Sequence, residues 1–108
     1  MTHDSASAAD LPTVAAAIER TVDALEALGE IGEADEDAWQ YVVDLVAAWR
    51  SRLEAVAATR GPEVLSPEVA AAVAVAVEEA ELIEDRYRAI DWCSTLPQVV
   101  LTALGEVP

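Results

Sequence analysis

The chain has no lysine, no phenylalanine, one cysteine, one methionine and one histidine. Its only strong cations are six arginines, set against 21 acidic residues. Each scarcity removes a class of function. A lone Cys93 excludes an intrachain disulfide and fits a reducing compartment. A lone His3 leaves no second histidine for a Ser-His-Asp relay or a multi-histidine metal site, and no glycine-rich phosphate loop is present. So few basic residues argue against electrostatic capture of nucleic acid or anionic membrane, which needs a basic patch. No apolar run approaches the roughly 18 residues of a membrane span, and Met1-Thr2-His3-Asp4-Ser5 lacks signal-peptide character. A cytoplasmic protein without catalytic residues, cofactor or metal is the expectation.

What is present is one domain's worth of apolar sequence. The chain is 108 residues, 54% hydrophobic, with a formal net charge of -15. That apolar fraction excludes an acidic disordered tail, because disorder needs low hydrophobicity together with high charge. Residues 1–9 are small, polar and aperiodic and read as a disordered tail; residues 10–108 read as a single helical-bundle domain.

The apolar residues recur at helical spacing. Leu11, Val14, Ile18, Val22, Leu25 and Leu28 form a stripe behind a candidate N-cap at Asp10, with Gly29 and Gly32 as stops, so helix one is expected over about 11–28. Asp35-Glu36-Asp37 supplies the negative charge a helix start favours. Trp39, Val42, Val43, Val46, Trp49, Leu53 and Val56 form the second stripe, ended by Gly61-Pro62. Ser66-Pro67-Glu68 combines a capping serine, a first-turn proline and a first-turn acid. Behind it Val69, Val73, Val77, Ala80, Ile83, Tyr87 and Ile90 predict one long third helix reaching about Trp92, supported by a Glu84–Arg88 pair four residues apart. Pro97 should interrupt the pattern, leaving a short fourth helix over 96–104, capped by Thr95 and stopped by Gly105. A valine-rich hairpin over 69–77 is the alternative; alanine density and the flanking caps favour helix.

The fold class expected is therefore all-α: an up-and-down antiparallel three-helix bundle with a short C-terminal fourth helix. Helix one, roughly 27 Å long against roughly 39 Å for helix two, should run out before the 61–65 turn. Val56, Val64, Leu65, Val69 and Val73 would then lack a third wall. Val75, Leu82 and Cys93 make a second apolar line on helix three. Exposed apolar surface of this kind indicates a partner, so Val69, Val73, Val75, Leu82 and Trp92 are the candidate interface, with a second copy or another protein as occupant. Trp39 and Trp49 are expected in the core, with Tyr41 opposite them.

Glu78, Glu79, Glu81, Glu84 and Asp85 are the one candidate for chemistry. Glu78, Glu81 and Asp85 would share a helix face where carboxylates can hold Mg²⁺. Glu78-x-x-Glu81 resembles one element of the MazG-type all-α nucleotide pyrophosphohydrolases, a resemblance that implies a divalent-metal-dependent hydrolase; the second Glu-x-x-Asp element and the basic substrate set are missing. Among so many acids a solvated face is the simpler reading. Trp49-Arg50-Ser51 falls mid-helix and so departs from the WXG-type helical hairpins, whose motif lies in the turn. Cys93 has no basic partner and reads as a small buried hydrophobe.

In composition and helix pattern the chain resembles the small acidic helical proteins of halophilic archaea. That resemblance implies a carboxylate surface adapted to molar salt, where screening over roughly 3 Å suppresses self-repulsion. The functional expectation is a non-enzymatic helical protein acting through protein–protein contacts, as a homo-oligomer or accessory subunit. The metal-dependent hydrolase and an acidic nucleic-acid mimic are the alternatives.

Overall fold

A computed structural model describes residues 11–106. The expected tail and His3 lie outside the described residues. Among the described residues four helices follow one another: α1 Val14–Gly32, α2 Trp39–Arg60, α3 Pro67–Glu81 and α4 Arg86–Ala103. The fold is all-helical. Among the described residues the only β pairing is a single antiparallel bridge, Thr13 to Val64.

α1 begins three residues later than expected, and its start explains the packing of the whole lower end. A helix opens with N–H groups that have no partner within it. Here the Thr13 hydroxyl accepts from the Ala16 N–H at 3.2 Å. The Val14 N–H donates to the Glu63 carbonyl at 2.8 Å and the Ala15 N–H to the Gly61 carbonyl at 3.1 Å. The α2–α3 connector thus caps α1, and the Leu65 N–H returns a bond to the Pro12 carbonyl at 2.9 Å. Helix one does not run out short of the turn. Val56, Leu65 and Val73, expected to be open, are buried, and only Val64 remains exposed there.

At the other end, Gly29 does not stop α1; the helix runs through it and ends on Gly32, the second expected stop. Both let neighbouring helices approach. A Cβ at Gly29 would lie 3.0 Å from Val46 Cγ2, and one at Gly32 would lie 3.1 Å from Ile90 Cγ1 and 3.4 Å from Val42. α1 therefore meets α2 and α4 together at Gly32.

The predicted third helix is two. After Glu81 the chain tightens, with the Leu82 and Ile83 N–H groups donating to the Glu79 and Ala80 carbonyls, both at 3.2 Å. The Asp85 carboxylate then accepts from the Arg88 N–H at 2.9 Å, capping α4. The acids clustered before this point explain the break. Carboxylates at a helix C-terminus oppose the helix dipole, whereas the same residues favour the next helix start. Consequently Glu84 and Arg88 do not share a helix, and the fourth helix is 18 residues long rather than short. Pro97 does not end it: the helix continues through a buried Pro97 to Ala103. Cys93, Leu96, Val100 and Leu101 around it are all buried. Their packing offsets the roughly 3 kcal/mol that an interior proline costs. α4 ends with Gly105 at φ +82°, where the Gly105 N–H donates to the Thr102 carbonyl and the Glu106 N–H to the Leu101 carbonyl.

α1 and α4 form the centre, each touching all three other helices, while α2 and α3 touch them but not each other. α1 and α2 are antiparallel, as Glu26–Arg50 and Gly29–Val46 show. α4 runs beside α2 in the same direction, from Ile90 near Val42 to Leu104 near Arg60. Arg60 ties that lower end together. Its guanidinium donates to Glu63 at 3.0 Å, to the Leu104 carbonyl at 2.6 Å and to Glu106 at 2.9 Å. The Arg60 hydrogen bonds hold the Glu63 carboxyl below its ordinary range.

Candidate interaction surface

Of the five residues expected at an interface, two face outward. Val75 is 55% exposed and Leu82 is 81% exposed. They are seven residues apart, two helical turns, so they share the outer side of α3 where it gives way to the turn. Val69 and Trp92 are half-buried and pack against the core. Val73 is buried within the chain's own interior. The five do not make one patch, because the α1 start and the α2–α3 connector fill the space the sequence seemed to leave open.

The acids at positions 78, 79, 81, 84 and 85 are all exposed. The helix break separates Glu78 and Glu81 from Asp85, whose carboxylate is engaged in capping α4. Among the described residues no three His, Cys, Asp or Glu side chains are placed to hold a metal ion.

Cys93 is fully buried, and burial first, then the nearby negative charge of Glu33, pushes its thiol up to about 11. That is the opposite of an activated nucleophile, whose pKa is depressed. Among the described residues the one buried polar side chain, that of Thr21, is satisfied by donating to the Ala17 carbonyl at 2.8 Å. Among the described residues no buried side-chain nitrogen or oxygen lacks a partner. Among the described residues the interior therefore offers no unpaired polar side chain.

A groove of about 520 Å³ lies between α1 and α2, floored by Val43, Val46 and Ala47. Glu26, Glu30 and Glu33 line its α1 wall. Arg50 crosses it to Glu26 at 3.0 Å. Glu30 beside it is exposed to solvent, and Glu33 is half-buried.

The aromatic residues are the surprise. Trp39 and Trp49 were expected in the core, yet Trp39 is 49% exposed and Trp49 is only half-buried. Tyr41 and Tyr87 are exposed and Trp92 is half-buried. None of the chain's three tryptophans and two tyrosines is in the buried core, which is built from Ala, Val, Leu, Ile and Cys93. All five lie on α2 or α4. Arginines sit against two of the rings: Arg52 lies 5.5 Å from the Trp49 ring centre, and Arg86 lies 5.3 Å from that of Tyr87. Only the Tyr41 position was foreseeable, because it falls off the apolar stripe. Among the described residues no helix is long and apolar enough to cross a membrane. Compared with models of known protein families, with curated proteins and with solved structures, the chain matches none of them.

Proposed function

We propose that this is a non-enzymatic helical protein of the cytoplasm that acts through protein–protein contacts, as a homo-oligomer or an accessory subunit, with an acidic surface adapted to high salt. One observation carries the reading: every aromatic side chain is held at or near the surface instead of in the core. Tyrosine, tryptophan and arginine are the residues that anchor protein interfaces, because each brings large contact area with a polar tip. Val75 and Leu82 on the outer side of α3 add apolar surface on another side of the bundle. The bland reading of the acids, a hydrated surface, is supported by their exposure.

The test is the state of the protein isolated from its host in about 2 M KCl, a concentration at which screening acts over a few ångströms. The expected result is a homogeneous particle heavier than the 11.4 kDa chain, composed of this chain alone or with a stoichiometric protein. A free monomer that hydrolyses nucleoside triphosphates with Mg²⁺, and loses that activity on Glu81→Ala, overturns the proposal in favour of the hydrolase.

A further inference from the structure

We draw no further inference here: the strongest candidate, the cavity of about 260 Å³ between α1 and α3 lined by Pro12, Ala17, Leu65 and Val73, has only the exposed Glu19 and Arg20 as charged lining, and nothing in the structure shows what fills it.

Discussion

Cys93 is a reporter of the fold that needs no mutation. Its thiol is completely buried with a pKa of about 11, against an ordinary value of 9.0. At about pH 8 a thiol with the higher value is ionised to roughly one part in a thousand, and one with the ordinary value to roughly one part in ten. Ionisation alone therefore slows reaction with a disulfide reagent about a hundredfold. Burial closes the direct route further, so reaction must proceed through opened molecules. For a domain stable by about 5 kcal/mol these are on the order of one in several thousand. Against 5,5′-dithiobis(2-nitrobenzoate) at about pH 8, the native protein in about 2 M KCl should react about a thousandfold or more slowly than the same chain in denaturant. Lowering KCl to about 0.05 M should raise the rate steeply, because fifteen unscreened negative charges then favour the opened state. Rapid stoichiometric modification in high salt, at a rate near that of the unfolded chain, would refute both the burial and the reading of Cys93 as an inert core residue. The same shift fixes a pH dependence. The unfolded thiol releases its proton first, so between pH 9.0 and about 11 the folded state binds more protons, and stability falls as pH rises through that window.

Helical circular dichroism and melting temperature should increase with KCl into the molar range; a melting curve unchanged from about 0.05 to 2 M would count against salt adaptation. Leu53→Ala removes a fully buried side chain from α2 and should cost about 2–5 kcal/mol in denaturant unfolding; a loss under about 1 kcal/mol would mean that α2 is not docked as described. Asp85→Ala deprives α4 of its cap and should cost about 0.5–2 kcal/mol, with Asp85→Asn nearly neutral, whereas equal effects would assign Asp85 some other role. Arg60→Ala should lower the melting temperature by releasing Glu63, Glu106 and the Leu104 carbonyl at once. Because Glu63 is depressed by Arg60, that pair's contribution should be present near neutral pH and vanish as pH falls through the carboxylate range, and the variant's deficit should shrink there.

Helix content was legible in the sequence because periodicity survives local accidents. The stripe through Val14, Ile18, Leu25 and Leu28 and the Ser66-Pro67 start are both realised. What failed was the weighing of signals against tertiary structure. Gly29 and Pro97 are breakers by propensity, but propensities of about 1 and 3 kcal/mol yield to packing across a core. The break at Leu82–Asp85 was present in the sequence as five acids placed where a helix end opposes them. It went unread because Ile83, Tyr87 and Ile90 happen to continue the apolar spacing. The expected interface failed in part for a different reason. Whether Val73 is open depends on where the 61–65 connector lies, and that is decided by backbone hydrogen bonds to Val14 and Ala15, which no side-chain pattern encodes.

The exclusion of the aromatics from the core follows from how the helices pack. Gly29 and Gly32 bring α1 to within contact of Val46, Val42 and Ile90. Ala17, Ala24, Ala76, Ala80 and Ala89 occupy further buried positions. Small residues at facing positions let helix axes approach, and axes that approach leave no gap wide enough for an indole or phenol ring at interior density. A chain that kept its rings for stability would have placed large residues opposite small ones inside. Here the interior is closed by Val and Leu, and the rings are left on two adjacent helices together with nearly all the arginines.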